Sequence, residues 1–217
     1  MPDAQFSSPG SPEAVPSEPP IAAAVRKRPK PGERRVQILQ ALATMLEQPG
    51  AERVTTAGLA ARLEVSEAAL YRHFASKAQM FEGLIEFIEQ SVFTLVNQIS
   101  EREAAGPVQA ARTVAMLLQF AEKNPGMTRV MVGDALVYEN ERLQQRMNQF
   151  FDKIESALRK NLRAAADVDG SATPTVDAQV RASLLTTFVV GRLQRFARSG
   201  FRRMPSEHLE ASLARML

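Results

Sequence analysis

Cysteine is absent from the sequence, which excludes disulfides, thiol catalysis and cysteine-ligated zinc or iron–sulfur centres. Imidazole comes only from His73 and His208, too few for a multi-histidine metal site within one chain. The two lie far apart in sequence, and neither a Gly-rich phosphate loop nor a serine elbow accompanies them, so an enzyme is not expected and no cofactor or metal is assigned. No apolar run approaches the roughly 18 residues of a membrane span. The acidic, proline-rich start is unlike a secretory signal. The expectation is a cytoplasmic protein with no membrane partner.

What is present is a chain of 217 residues with 45% hydrophobic content, enough to bury a core, and a formal charge of +3. The pI of about 9.5 is compatible with nucleic acid but weakly diagnostic, and the distribution of charge says more. Residues 1–32 hold eight of the thirteen prolines and no hydrophobic periodicity, the composition of a disordered arm. Its first part carries Asp3, Glu13 and Glu18, whereas Arg26 to Arg35 (RKRPKPGERR) gathers six basic residues, Arg34 among them, against Glu33 alone. Placed before the first helix, this basic run either adds phosphate contacts, Arg34 being the one assigned to DNA, or is a solubilising tail.

The informative stretch is Thr55 to Lys77, TTAGLAARLEVSEAALYRHFASK. Leu59 and Leu63 share a face of one short helix, Leu70 and Phe74 a face of the next, and Val65 fills the corner between them. Glu67, Ala68, Tyr71, Arg72 and His73 are left mainly outside. A short helix with an apolar rear and a small, aromatic and basic front has the dimensions to enter a DNA major groove. Thr55 and Thr56 are alternative candidates to cap the first of these helices, and Ser66 is expected to cap the second. Glu64 stands in a turn where glycine is usual, at a cost of roughly 1 kcal/mol if its geometry is left-handed. Ser76 and Gln79 form a capping-box pattern opening a long helix to about Ser100. Lys77 lies in its first turn, against the helix dipole, and reads either as a phosphate anchor or as a solvated lysine.

Before this stretch, Ile38, Leu42, Met45 and Leu46 predict a helix from Glu33 to about Gln48, stopped by Pro49-Gly50. After it, Phe81, Ile85, Ile88, Val92, Leu95 and Ile99 make one stripe of the long helix, and Met80, Leu84 and Phe87 a second, which faces either another helix or a partner protein. Further helices are predicted from Gly106-Pro107 to Lys123, from Met127 to Val137 with a break near Gly133, and from Glu141 to Leu162. Ala164 to Thr175 reads as a solvated linker. From Asp177 to Arg198 a broad apolar face carries Leu184, Leu185, Phe188, Val189, Leu193 and Phe196, and Gly191 lets a neighbouring backbone approach. With a last helix from Ser206 to Leu217 it predicts half of a four-helix dimer interface, the alternative being packing within one chain.

The order of elements, and the stretch quoted above, resemble the TetR family of DNA-binding regulators. Within that family VSEAALYRHFASK, LIEFIEQS, KNPGMTRV and ENERLQQRMNQFFDKIE are similar to the nucleoid occlusion factors of gammaproteobacteria. The resemblance covers about Glu33 to the C-terminus. It implies an all-α, TetR-like fold: an N-terminal helix-turn-helix domain at 33–77, a linking helix at 78–100, and an all-helical regulatory and dimerisation domain at 101–217. It also implies a homodimer on double-stranded palindromic DNA, either alone or as a dimer of dimers. Such a protein is nucleoid-associated and antagonises the tubulin-like division GTPase FtsZ when bound to DNA. The DNA contacts implied are Thr55, Tyr71 and Lys77 on phosphate and Ser66, Ala68 and His73 on base edges, with Thr56 beside them. The division-protein surface implied is Phe87, Lys123 and Asn124. Leu95, Met116 and Gln119 depart from the pattern there. The rival within the same fold is a ligand-responsive repressor with a pocket in the larger domain.

Overall fold

The computed structural model describes residues 32–48, 54–103, 106–168 and 170–217, and all the regular structure among them is helical. In order these are α1 (Glu33–Leu46), α2 (Thr56–Arg62), α3 (Glu67–Tyr71), α4 (Lys77–Arg102), α5 (Gly106–Lys123), α6 (Pro125–Met131), a single 3-10 turn at Asp134–Leu136, α7 (Glu141–Val168), α8 (Pro174–Arg198) and α9 (Leu209–Met216). The basic run before α1 and the Pro49-Gly50 stop lie outside the described residues, apart from its last positions.

The first three helices close around Ile38, Leu42 and Leu46 of α1, Leu59 of α2 and Leu70 and Phe74 around α3, all essentially fully buried. The corner between α2 and α3 is a Schellman turn. The Val65 N–H donates to the Ala60 carbonyl and the Glu64 N–H to Ala61, both within 3.1 Å. Glu64 takes the left-handed position at φ 53°, so the strain expected of a non-glycine residue there is present. Val65 packs against the core from that corner.

Helix α4 starts at Ser76, whose hydroxyl accepts the Gln79 N–H at 3.2 Å, while the Gln79 side-chain oxygen accepts the Ala75 N–H at 2.8 Å. The box therefore closes one residue upstream of its usual partner. Most of both apolar stripes of α4 is spent in the core: Phe81, Ile85, Ile88 and Val92, and also Met80 and Leu84, while Leu95 at the end of the first stripe stays exposed. Of the second stripe only Phe87 reaches the surface. The helix is enclosed because α1 packs on one side of its first half, and α5, α6 and α7 pack on others.

Helix α6 joins the two parts of the molecule by lying on α1. A Cβ built on Gly126 would come within 1.9 Å of the Ala43 carbonyl oxygen, so backbone meets backbone here. Helices α7 and α8 form an antiparallel hairpin on the far side. Helix α7 runs six residues beyond the expected Leu162, and the predicted linker at Ala164 to Thr175 shrinks accordingly. Three alanines in a row favour helix, Ala166 is buried, and Arg163 pairs with Asp167 one turn on. Between α4 and α7 runs a line of opposite charges: Arg142 with Glu82, and Arg146 with Glu89 at 2.7 Å. The hydrogen bond to Glu89 raises the Arg146 guanidinium pKa further above its already high ordinary value.

Gly126→Ala is expected to lower stability by about 1–3 kcal/mol, the cost of forcing atoms into a packed contact. Urea unfolding monitored by circular dichroism measures it, and a midpoint equal to that of the unaltered chain would contradict the close approach of α6 to α1.

Candidate nucleic-acid interface

The outward end of the small module is built by two helix starts. The Thr55 hydroxyl oxygen accepts the Gly58 N–H at 3.1 Å, and the Ser66 hydroxyl oxygen accepts the Ala69 N–H at 3.3 Å. Each cap uses an oxygen lone pair, which leaves the hydroxyl hydrogen free to donate outward. Of the two threonines offered by the sequence, Thr55 is the cap. Thr56 is the first residue of α2 and donates its hydroxyl to Glu67 at 2.6 Å, bracing the start of α2 against the start of α3.

Helix α3 is barely a turn and a half long. Its outer surface carries Glu67, Ala68, Tyr71 and, in the turn that follows, Arg72 and His73, all exposed. Tyr71 is 44% exposed, an unusual position for a large aromatic unless its ring and hydroxyl serve a partner. The rear is anchored by Leu70 and Phe74. A residue not singled out from the sequence completes this anchoring: Arg35 of α1 donates to the His73 carbonyl at 2.7 Å and lies over the Phe74 ring at 4.1 Å. It pins the end of the recognition element to α1. Its neighbour Arg34, assigned to DNA contact, is half-buried in the first turn of α1. The basic run made the two arginines equivalent in the sequence, and only the direction of the α1 face separates them.

Lys77 has a partner within the chain. Its ammonium pairs with Glu139, from the turn before α7, and sits 5.7 Å from the Phe81 ring centre. The charge at the start of α4 is thus met by a carboxylate 62 positions away, which no local pattern signals.

The residues assigned to a division protein separate into two environments. Phe87 is 46% exposed on α4 and Lys123 is exposed at the end of α5. Asn124 instead makes the corner between α5 and α6, donating its amide to the Phe120 carbonyl at 2.8 Å while its own carbonyl accepts from Thr128. Leu95, Met116 and Gln119 line a groove of about 310 Å³ between α4 and α5, with Arg102 and Arg112 at its sides.

The dimerisation residues need correction. Leu185, Val189, Leu193 and Phe196 are fully buried within the protomer, and Phe188 is partly buried against the same core. The opposite face of α8 presents Val176, Val180 and Leu184 to solvent, and at Gly191 an added Cβ would meet nothing within 4 Å. Leu184 and Gly191, read from the sequence as one broad face with the buried residues, lie instead on the exposed side. The richer stripe is consumed by α7 and α5.

A buried three-helix module with an exposed short helix, joined by a long helix to an all-helical second domain, defines a TetR-type DNA-binding regulator. Residues 38–84 match the family described as bacterial regulatory proteins, tetR family, and residues 107–216 the tetracyclin repressor-like C-terminal domain of SlmA-like type. The chain is 50% identical over 178 residues to the nucleoid occlusion factor SlmA of Idiomarina loihiensis, covering 82% of this chain and 90% of that protein. It is 51% identical over 181 residues to the same factor of Aliivibrio fischeri, covering 83% and 92%. The chain belongs to the SlmA family of nucleoid occlusion factors. Among solved structures, the Bacillus subtilis regulator FadR in complex with stearoyl-CoA superposes with a TM-score of 0.67 at 13% identity, covering 83% of this chain and 96% of that one. A Rhodococcus transcriptional regulator superposes at 0.65 and 23% identity, covering 84% and 92%. These last two likenesses are of fold.

Thr55→Ala removes the cap and is expected to cost about 1 kcal/mol of stability. Thr55→Ser, which keeps the oxygen, is expected to cost much less. Thermal unfolding of the two variants side by side checks this, and equal losses would take the capping role from Thr55.

Proposed function

We infer that this chain is a nucleoid occlusion factor: a sequence-specific DNA-binding dimer that, when bound to DNA, inhibits assembly of the tubulin-like division GTPase FtsZ over the chromosome. The observation that carries the reading is half-identity to nucleoid occlusion factors over four-fifths of the chain. The geometry supplies the parts such an activity needs. Tyr71, Ala68 and Ser66 face outward on one short helix, where Ala68 meets a thymine methyl without needing a polar partner and Ser66 donates to a base edge. Thr55 donates its hydroxyl to a phosphate, and Tyr71 does the same from the side. His73 acts as a hydrogen-bonding group, with Thr56 holding the start of the element through Glu67. Lys77 reaches phosphate only by leaving Glu139, so its contribution is coupled to the second domain.

One such helix reads only a few base pairs, and a two-fold dimer reads a palindrome with two of them about 34–36 Å apart. The dimer is formed by the exposed stripe Val176, Val180, Leu184 and Gly191 of α8 against its copy. The division protein docks on the opposite side, from Phe87 along the groove between α4 and α5 to Lys123, with Asn124 shaping its end. Helix α4 carries Lys77 at its start and Phe87 ten residues on. The site that senses DNA and the surface offered to the division protein therefore share one rigid element, and binding at one biases the other through it. A ligand-responsive repressor has less support. Val114, Leu117 and Leu118 of α5 are packed without exposure, and half-identity points to nucleoid occlusion factors.

Leu184→Asp is expected to leave the fold intact and convert dimer to monomer at micromolar concentration in sedimentation equilibrium, whereas Leu185→Ala should cost about 2–5 kcal/mol of stability. A dimer persisting in Leu184→Asp would move the interface elsewhere. Co-sedimentation of GTP-driven polymers of the division protein, with and without a selected DNA site, tests the function itself. DNA-dependent loss of polymer is expected, and Phe87→Asp should abolish it without changing DNA affinity. Normal polymers in the presence of site-bound protein would leave a transcriptional regulator.

A further inference from the structure

Between Asp177 and Glu207 the chain has six arginines and no other charged residue. This segment alone outweighs the formal charge of the whole protein. Four arginines elsewhere in the fold are matched with acid: Arg142 with Glu82, Arg146 with Glu89, Arg112 with Glu103, Arg163 with Asp167. Among the described residues, Arg195, Arg198, Arg202 and Arg203 are exposed and have no carboxylate within ion-pairing distance. The cluster is displayed by a shaped turn. Gly200 and Phe201 both take φ 64°, and Phe201 is held there by the Phe196 ring edge-on at 5.2 Å and by Arg129 of α6, also at 5.2 Å. The Ser199 hydroxyl oxygen accepts the backbone N–H of Arg202 at 3.1 Å and of Arg203 at 2.9 Å, and the Arg202 Nε donates to the Ser199 carbonyl at 3.0 Å, which fixes the turn while both arginines stay exposed.

Position gives the cluster its meaning. Arg129 belongs to α6, which lies on α1 through the Gly126 contact, so the arginine turn sits at the end of the second domain nearest the DNA-reading module. Arg198 also falls on the same side of α8 as Val180 and Leu184, by helical spacing. A two-fold through that face brings two such clusters toward the axis, where like charges repel unless a polyanion lies across them. Arginine without lysine suits a phosphate partner, since its planar fork meets phosphate oxygens in pairs.

We propose that Arg195, Arg198, Arg202 and Arg203 form a second, sequence-independent DNA site that engages the phosphate backbone between the two recognition helices. The proposal rests on the DNA-binding reading above. It assigns the cluster to affinity and to salt dependence, and leaves sequence discrimination to α3. It also predicts that unliganded dimers are weakened by this charge.

The test titrates full-length protein into a selected palindromic duplex and a scrambled duplex at several salt concentrations, followed by fluorescence anisotropy. Two variants are compared, R195Q/R198Q on the helix and R203Q on the turn, each first shown to unfold at the temperature of the unaltered protein. The expected result is a loss of affinity of about tenfold for R195Q/R198Q, by the same factor on both duplexes. The log–log salt slope should become shallower by about 0.9 for each phosphate contact removed. Their ratio of affinities, which reports α3, should not move. Unchanged affinity and slope in both variants overturns the proposal. So does a loss of binding to the division protein with DNA binding intact, because it makes the cluster a protein-docking surface. If the unaltered protein fails to discriminate the two duplexes, it is the sequence-specific reading that falls, and the variants still report on the phosphate site by themselves.

Discussion

The burial of the inner faces of the first half of α4 is the constraint on which the arrangement depends. Phe81, Leu84, Ile85, Ile88 and Val92 are buried while Phe87 stays exposed, so this helix is at once the back wall of the DNA-reading module and the centre of the second domain. A helix packed on several sides moves as a rigid body, because interiors at crystal-like density do not deform smoothly. Whatever tilts the small module must therefore tilt α4, and with it the surface around Phe87 and Leu95. Gly126 adds a second rigid joint, backbone against backbone, between α6 and α1.

Charge is used in two ways around that axis. Along the α4–α7 seam the ions are paired and partly buried, where opposite charges favour one register of the two helices over its neighbours. Exposed pairs of this sort add little stability, but shielded ones fix geometry. Lys77 with Glu139 belongs to this group and ties the first turn of α4 to the turn before α7. The arginines at the end of α8 are the opposite case: unpaired, exposed and set on a turn whose Phe201 holds a conformation costly for a side chain. Strain retained beside unmatched charge is better explained by a partner than by folding.

Much of the small module is legible because its determinants are local. Ser66 and Ser76 as caps, Val65 as the corner and Glu64 in a left-handed turn follow from residues within a few positions of one another. The Gly133 break and the position of Gly106-Pro107 are of the same kind. Less legible were the choices between equivalent candidates. Thr55 and Thr56 read alike until Glu67 takes one of them, and Arg34 and Arg35 until Phe74 does. The linker expected at Ala164 to Thr175 was misjudged because small residues serve loops and tightly packed helices equally, and only the neighbouring α5 distinguishes them.

The sequence by itself determined an all-helical protein with a helix-turn-helix near its start, the faces of each helix, and the absence of any thiol or multi-histidine chemistry. Period, caps and composition act within a few residues, and those signals survive without a fold. Only the tertiary structure decided which of two apolar stripes of α8 remains free, and which ion answers Lys77. It alone set the arginine turn against α6, the helix that lies on α1. Each of these depends on what packs against a helix from a distant part of the chain, and periodicity states that a face is apolar without stating what covers it.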